Sequence, residues 1–557
     1  MATLLDIPLE LILKIFSRLD AKSLIRCAMA SRQIYSVVED SPLLRFIILS
    51  YFTGFRASGD TSLMQSFPDD LLRTLERRCQ AWVAPQWTKT FSLKFKDTSI
   101  PLHCTSGIFS RQHADHLEIT SICTEDFAKV AERTAKLNLQ SQLQIRENNH
   151  WIDPSQDLLI LIGENGPVPS DETRIFHIHL RTLSNNKSHP QAIQPFLQFS
   201  VPPNQEGNDI HKIHVEIARN MLMMAFNTIR QAWSIDTPKR ILVWDWITAD
   251  LILDSSWPTF DDPDKILRAS ESIVGFLDET HIYAMSTFHY SAVHLYEIVE
   301  PTINNPSPLR YRAQLSFPST CNDIRIIGIY HEAGPLEAQV PPYHSPNIRL
   351  VNDDDLIHVF ALEYGKYPFD GTTEFYGPFY VYVHQHSLMR YFSQHEGATL
   401  HIPWRNWGPP NARLIAPPRS SIRISAHGQR ALLPRVYDGL PQLDRDGITV
   451  LDFSLASVMA AQGKQIPFST TPVSESEQIS ERKSGTLLPP TTIQCSKIPV
   501  YTDDVETHLP CVAIDVEIQG METLYMIDED GLLRLNLCMS VDGSDIRSYY
   551  VVDKYTV

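Results

Sequence analysis

The apolar positions of residues 7–20 predict a short helix that is apolar over more than half of its circumference. The side chains on one face, at helical spacing, are Leu9, Ile12, Leu13 and Phe16, and those on the flank beside it are Leu11, Ile15 and Leu19. An ordinary surface helix is apolar over about 100°. The pattern therefore predicts a helix with two faces to bury.

The next thirty residues predict two more short helices. Asp20 or Ser23 is placed to cap the second helix, which runs to Ala30, and Ser31 is placed to cap a third that ends before Pro42. Three helices in about forty-five residues form a small core, because small domains bury a small share of their surface. We expect either the rest of the chain or a second protein to cover the remaining apolar face. An ordinary helical cap docked on its own domain is the structural alternative.

This segment resembles an F-box, the helical motif that binds the Skp-type adaptor of cullin-RING ubiquitin ligases. The matching positions are Ile7-Pro8, Glu10-Leu11, Ile15-Phe16, Leu19-Asp20, Ser23-Leu24, Arg26-Cys27-Ala28 and Asp40 to Leu43. Family members often carry Cys-Arg-x-x-Trp in the third helix, where this chain has Ser31 to Tyr35. The resemblance implies that eight residues divide two tasks between them, binding the adaptor and packing the motif's own core. They are Ile7, Pro8, Leu11, Ile12, Ile15, Phe16, Leu19 and Leu24.

The remaining pattern divides the chain into three predicted regions. Residues 1–46 form the F-box-like helical module, and residues 47–84 return to a helical period that predicts a helical stalk. From residue 85 to 557 the chain shows short strand-like runs separated by turns, which predicts a large all-β domain. The last two runs, Thr523 to Ile527 and Leu532 to Leu537, flank a strong hairpin signal at residues 528–531.

A β-propeller of six or seven blades is the economical fold for so many short strands. An imperfect repeat supports it, because five segments resemble the outgoing strand of a WD-type blade: 240–246, 292–298, 377–382, 447–453 and 531–537. The combination resembles fungal-type F-box proteins with a WD-like propeller body. Three insertions interrupt the pattern, at residues 299–319, 331–348 and 462–492, and the composition of the last predicts a disordered loop that is either an inert linker or a site of phosphorylation.

Composition narrows the class of protein. The hydrophobic content of 43% and the charged content of 20% are globular values, and the net charge of −17 argues against binding nucleic acid. Eight cysteines are scattered without a Cys-x-x-Cys pair, which favours reduced thiols over disulfides or zinc. The chain shows no signal-peptide pattern and no apolar run long enough for a membrane span. We expect a cytoplasmic or nuclear protein with no membrane partner.

No catalytic constellation is visible in the sequence. The phosphate-loop, dinucleotide and nucleophile-elbow motifs are all absent, so we expect no cofactor. The histidine pairs 177/179, 211/214 and 384/386 each offer two ligands, and the sequence places no third ligand beside them, so we expect no metal. Acidic runs such as Asp353 to Asp355 are typical of solvated turns.

One aromatic segment is a candidate target-binding loop. Residues 401–410 read as a long loop that carries Trp404, Arg405 and Trp407, residue types that are enriched in interface hot spots. The alternative is that both tryptophans are packed between blades. If they face solvent, they are the first candidate for substrate contact.

These features together predict a non-catalytic subunit of a ubiquitin ligase. The F-box-like module would bind a Skp-type adaptor, and through it a cullin scaffold, while the propeller binds an unknown target protein. Two alternatives stay open: an interaction scaffold outside protein degradation, and a propeller hydrolase with carboxylates near the central channel.

Overall fold

We describe the fold from a computed structural model of the 557-residue chain. The structure describes residues 7–58, 68–83, 85, 87–95, 103–105, 108–112, 116–121, 134–138, 144–164, 173–201, 211–227, 239–254, 273–286, 291–300, 308–321, 323–334, 336, 349–352, 355–366, 374–393, 400–416, 424–434, 448–468, 485–516, 523–528, 531–542 and 545–556.

Four helices follow one another at the N-terminus: α1 (Leu9–Phe16), α2 (Ala21–Ala30), α3 (Arg32–Asp40) and α4 (Pro42–Thr53). The Asp20 side chain caps α2 by accepting a hydrogen bond from the Ser23 backbone N–H. Asp20 is one of the two residues that the sequence offered as the cap of this helix. Pro42 opens α4 at a position where a missing N–H costs nothing. Gly54 ends α4 with a φ of 70°, in the left-handed region that glycine adopts most readily.

The region predicted as a helical stalk contains a strand between two helices. Strand β1 (Phe55–Ser58) follows α4 and pairs antiparallel with β20 (Arg349–Asn352). Helix α5 (Pro68–Val83) then packs alongside α4. Both helices also contact α8 (Leu455–Ala461), which belongs to the β body. The N-terminal region therefore lies against the body at several points along the chain.

Seven antiparallel sheets form most of the body, and we call them blades 1 to 7. In chain order they are β3–β6 (His103–Thr105, Ile108–Gln112, His116–Ser121, Thr134–Asn138); β7–β10 (Gln144–Asp153, Leu158–Glu164, Arg174–Thr182, Phe196–Val201); β11–β14 (His211–Ala218, Met221–Asn227, Lys239–Asp245, Asp250–Asp254); β15–β18 (Ile273–Phe276, His281–Ser286, Ala292–Ile298, Leu309–Ser316); β19, β21, β22 and β24 (Ile324–Glu332, Ile357–Lys366, Phe375–His384, Ala412–Ile415); β25, β26, β27 and β31 (Ala426–His427, Arg430–Pro434, Ile448–Asp452, Val512–Val516); and β32, β33, β34 and β2 (Thr523–Asp528, Gly531–Asp542, Asp545–Thr556, Thr88–Phe95).

The seven sheets are the blades of a β-propeller. Six buried apolar clusters of the described residues each join one blade to the next in chain order, from blades 1 and 2 to blades 6 and 7. Blade 7 combines the last three strands of the chain with β2, the first strand of the body. This pairing ties the two ends of the body together, so the prediction of an all-β propeller is confirmed, with seven sheets.

The repeat found in the sequence marks equivalent strands. Four of its five segments fall on β13, β17, β22 and β27, which are the third strands of blades 3 to 6. The fifth falls on β33, the second strand of blade 7. The predicted C-terminal hairpin is also present, since β32 pairs with β33 in a register that ends on Asp528 and Gly531.

The predicted insertions are only partly irregular. The segment 299–319 contains β18, the fourth strand of blade 4. Toward the end of 462–492, the short strand β28 (Thr486–Leu487) pairs with β31. The next short strand, β29 (Thr491–Ile493), pairs with β30 (Val505–Thr507). Residues 469–484, and most of 331–348, lie outside the described residues.

The prediction that residues 401–410 form a long loop is wrong. Strand β23 (Leu400–Ile402) adds to blade 4 parallel to β18, and helix α7 (Trp404–Asn411) follows it directly. Pro409 and Pro410 fall in the helix, and α6 (Gln385–Met389) lies at the end of β22. The apolar pattern was too short for the sequence to distinguish two helical turns from a loop.

Candidate functional site

Helix α1 divides its apolar side chains between the chain's own core and the surface. Ile12 and Phe16 are 4% and 2% exposed and pack with Leu24, Val38 and other residues of α2 to α4. Leu11 and Ile15 lie one turn apart on another face and are 51% and 45% exposed. The predicted second face therefore exists and stays uncovered by the described part of the chain.

The eight residues implied by the F-box resemblance fall into three groups. Leu11, Ile15 and Pro8 are exposed, while Ile7 and Leu19 are half-buried at the edge of the core. Ile12, Phe16 and Leu24 are buried among α2 to α4, so they contribute to the motif's own core, one of the two roles that the resemblance implies. Their share in adaptor binding stays a prediction.

Four further apolar side chains of the N-terminal helices are exposed: Leu9, Met29, Tyr35 and Tyr51. Met29 on α2 is the most exposed of them, at 81%. The exposure of Met29 and Tyr51 was not among the features predicted from the sequence. The available signal for Met29 was that it lies on the outer side of an amphipathic helix whose inner side carries Leu24 and Ala28.

The module is joined to the body by side-chain contacts on α3 and α4. The Arg45 guanidinium donates to the Glu76 carboxylate of α5 at 2.8 Å and to the backbone oxygen of Phe468 at 2.9 Å. The Tyr35 ring packs on the Phe468 ring, with centroids 4.8 Å apart. Tyr35, the predicted aromatic substitute in the third helix, is thus partly engaged by the chain's own residues.

A buried ion pair supports the same junction from the body. Arg430 Nε donates to Asp452 Oδ2 at 3.0 Å, and both side chains are almost fully enclosed. The Arg430 guanidinium also lies 4.2 Å from the centroid of the Trp82 ring on α5. Trp82 itself belongs to the cluster between blades 6 and 7. The N-terminal helices are therefore packed into the propeller core at this point.

The proposed target-binding tryptophans are not on the surface. Trp404 and Trp407 are 8% and 1% exposed and pack against each other and into the cluster shared by blades 4 and 5. The Trp407 indole N–H donates to the Ser316 backbone oxygen at 2.8 Å. Their assignment as substrate contacts is therefore corrected in favour of packing between blades. Arg405 is exposed, and its role stays a prediction.

Strands β16, β19 and β21 bring several titratable groups together, the kind of cluster that the hydrolase alternative requires. Tyr283 Oη lies 2.6 Å from His331 Nδ1, and His331 Nε2 lies 3.0 Å from His358 Nδ1. Burial lowers the pKa of His358 to about 4, and desolvation with the nearby charge of Glu216 raises the pKa of Glu332 to about 8. Tyr283, His331 and His358 form a hydrogen-bonded chain, and the hydrolase stays an alternative prediction.

The three histidine pairs have different surroundings. His177 and His179 contact one another through their rings on β9, and His214 contacts the Glu216 carboxylate. His384 and His386 are joined by Asp355, which the sequence had placed in a solvated acidic turn. Within the part of the chain that the structure describes, these three form the one group with metal-ligand spacing.

No helix of the described residues combines the length and the apolar character that a membrane crossing needs.

Two solved structures to which this chain is similar are both distant from it in sequence. The WD40 domain of SCAP from fission yeast is 9% identical, with a TM-score of 0.26, over 80% of this chain and 81% of that one. The polysaccharide lyase Uly1 is 7% identical, with a TM-score of 0.33, over 85% of this chain and 95% of that one. The assignment of a propeller therefore rests on the strand order and the clusters between blades described above.

Comparison with curated proteins gives no match. Comparison with protein families gives a match to the F-box domain over residues 4–46. The matched segment holds α1 to α3 and the start of α4, with the apolar face described above. The chain therefore carries an F-box domain at its N-terminus, followed by a large all-β body.

Proposed function

We propose that this protein is a substrate-recognition adaptor of an SCF-type ubiquitin ligase. Its F-box domain would bind a Skp-type adaptor, and through it a cullin scaffold, while the propeller binds a target protein. The observation that carries the proposal is the exposed apolar face of α1, on a domain whose family is defined by this kind of binding.

The distribution of exposed apolar side chains supports a partner at this end of the molecule. Eleven large apolar side chains of the described residues are exposed, and six of them lie between Leu9 and Tyr51. This segment is under a tenth of the chain. A concentration of exposed apolar side chains in one short segment supports a protein–protein interface there.

In the proposed role the protein carries out no chemistry itself. It would raise the effective concentration of a target near the ligase, so its contribution to the rate is proximity. The packing of α4, α5 and α8 supports this role, because a propeller fixed to the F-box domain holds a bound target at a defined place relative to the ligase. Arg405 on α7 is a candidate contact for that target.

Co-purification with a Skp-type adaptor tests the first half of the proposal. Leu11→Asp with Ile15→Asp places two carboxylates on the exposed face, and we expect it to abolish binding without altering the circular dichroism spectrum. Ile193→Asp with Phe375→Asp changes two comparably exposed apolar side chains of the body, and we expect adaptor binding to persist. Adaptor binding that survives Leu11→Asp with Ile15→Asp refutes the assignment.

Target turnover tests the second half. The full-length chain carrying Leu11→Asp and Ile15→Asp would still bind targets and would not deliver them to the ligase, so it can be used to capture them. We expect proteins captured in this way to have longer half-lives in cells that lack this gene. Unchanged half-lives for every captured protein would favour the non-degradative scaffold.

A further inference from the structure

The strand register of blade 5 brings an acidic side chain to a pair of histidines. Strands β21 and β22 pair antiparallel, and Ile357 lies opposite His384. Asp355 comes two residues before Ile357, and His386 comes two residues after His384, so the two meet just beyond the end of the ladder. The Leu356 backbone oxygen accepts from the Gln385 N–H at 2.8 Å, which holds the two segments together there.

The three side chains offer their ligand atoms to one small volume. Asp355 Oδ1 lies 2.8 Å from His386 Nδ1, and Asp355 Oδ2 lies 3.5 Å from His384 Nδ1. One ligand atom from each residue can be chosen so that all three lie within 4.8 Å of one another. Adjacent ligands of a zinc ion about 2.0–2.2 Å from each ligand atom lie at comparable separations.

His384 provides an independent sign that something is bound here. Its side chain is 9% exposed, and Nδ1 is buried with no hydrogen-bond partner in the described structure. The distance of 3.5 Å to Asp355 Oδ2 is longer than an ordinary hydrogen bond to nitrogen. Buried polar atoms are almost always paired, so an orphaned nitrogen that faces a carboxylate calls for a ligand between them.

The protonation states suit a cation. Burial lowers the pKa of His384, although the Asp355 charge opposes the shift. Burial raises the pKa of Asp355, but the hydrogen bond from His386 and the charges of both histidines outweigh it, and the net shift is downward. Neutral imidazoles and carboxylates are the forms of these side chains that bind metals.

We propose that Asp355, His384 and His386 form a binding site for a divalent transition-metal ion, with Zn²⁺ as the best fit. Two imidazoles and one carboxylate are a ligand set that suits zinc. His386 is 65% exposed and Asp355 is 28% exposed, so water completes the coordination from the solvent side. Ser387 Oγ lies 3.4 Å from His386 Nε2 and accepts its N–H when Nδ1 binds the ion.

Titration of the full-length protein with ZnCl₂, followed by calorimetry, tests the proposal. We expect one zinc ion per chain, a rise in the melting temperature and a reversal by chelator. Cobalt serves as a second probe, because Co²⁺ at this site gives visible absorption from its d electrons. Asp355→Asn and His386→Gln remove one ligand each with little change in shape, and we expect each to weaken binding at least tenfold.

His508→Gln is the matched control. His508 is an exposed histidine that lies 3.8 Å from the Glu506 carboxylate, and it belongs to no three-ligand group of the described residues. We expect zinc binding to be unchanged in this variant. Absence of stoichiometric zinc binding in the wild type, or binding that survives both Asp355→Asn and His386→Gln, overturns the proposal. Circular dichroism confirms that each variant is folded.

Discussion

The F-box helices and the propeller body differ in how completely they bury their apolar side chains. In the helices, α1 buries Ile12 and Phe16 and leaves Leu11 and Ile15 in solvent. In the body, even the aromatic segment with the strongest resemblance to a binding loop places Trp404 and Trp407 inside. Each blade has a neighbour that covers its faces, whereas a domain of four short helices has too little core to hide every apolar residue. Exposed apolar residues are therefore concentrated in the first region, whereas most apolar residues of the second are packed between blades.

The largest expected effect concerns the ion pair of blade 6 that lies against Trp82 of α5. Arg430→Met leaves the Asp452 carboxylate buried without its partner, and we expect a loss of about 3–5 kcal/mol in the free energy of unfolding. Chemical denaturation monitored by tryptophan fluorescence measures it, since the guanidinium lies against Trp82.

The double variant Arg430→Met with Asp452→Asn is the control for that loss. It removes the uncompensated charge and keeps an oxygen that accepts from the Ser454 N–H. We expect it to be more stable than Arg430→Met alone. Equal stability of the two variants would show that packing on Trp82, and not charge, is what Arg430 contributes.

A pair of substitutions on α1 separates the core face from the partner face. Ile12→Ala creates a cavity in the F-box core, and we expect a loss of about 2–4 kcal/mol. Leu11→Ala removes a side chain that is half in solvent, and we expect a change within about 0.5 kcal/mol together with weaker adaptor binding. Thermal denaturation and co-purification measure the two effects. Similar losses of stability for both variants would contradict the division of α1 into two faces.

A buried histidine of the body predicts how stability depends on pH. Burial, aided by the charge of His401, lowers the pKa of His294 to about 3. The unfolded chain has the ordinary value of about 6.5, so the stabilisation is present above pH 6.5 and is lost as the pH falls toward 3. We expect His294 to contribute a loss of about 2 kcal/mol between pH 7 and pH 5.

His294→Gln checks this dependence, because glutamine does not titrate and its amide can still meet the Tyr311 hydroxyl, 3.0 Å from His294 Nδ1. Denaturation at pH 7 and at pH 5 should show a smaller difference for the variant than for the wild type. An identical difference in both proteins would exclude His294 as a source of the acid sensitivity.

The smallest expected effect distinguishes the two tryptophans of α7. Trp407→Phe loses the hydrogen bond to the Ser316 oxygen, whereas the indole nitrogen of Trp404 is buried without a partner in the described structure. We expect Trp407→Phe to be less stable than Trp404→Phe by about 1 kcal/mol. If thermal denaturation showed Trp404→Phe to be the less stable variant, the indole nitrogen of Trp404 would be the one that contributes more to stability.

Much of the chain's organisation follows from local pattern. The period of 3.6 residues, the cap at Asp20 and the helix boundary at Pro42 predicted the F-box helices. The spacing of short apolar runs predicted the strands β13, β17, β22 and β27. Local pattern also predicted that α1 has two apolar faces. These features depend on residues within a few positions of one another, which the sequence displays directly.

Tertiary structure alone decided which residues meet across long separations. It completed blade 7 by pairing β2 with β34, it enclosed Trp404 and Trp407, and it brought Asp355 to His384 and His386. It also separated Ile12 from Leu11, which the sequence marks as equally apolar. Burial and ligand geometry depend on neighbours tens to hundreds of residues away, so a pattern confined to one segment cannot fix them.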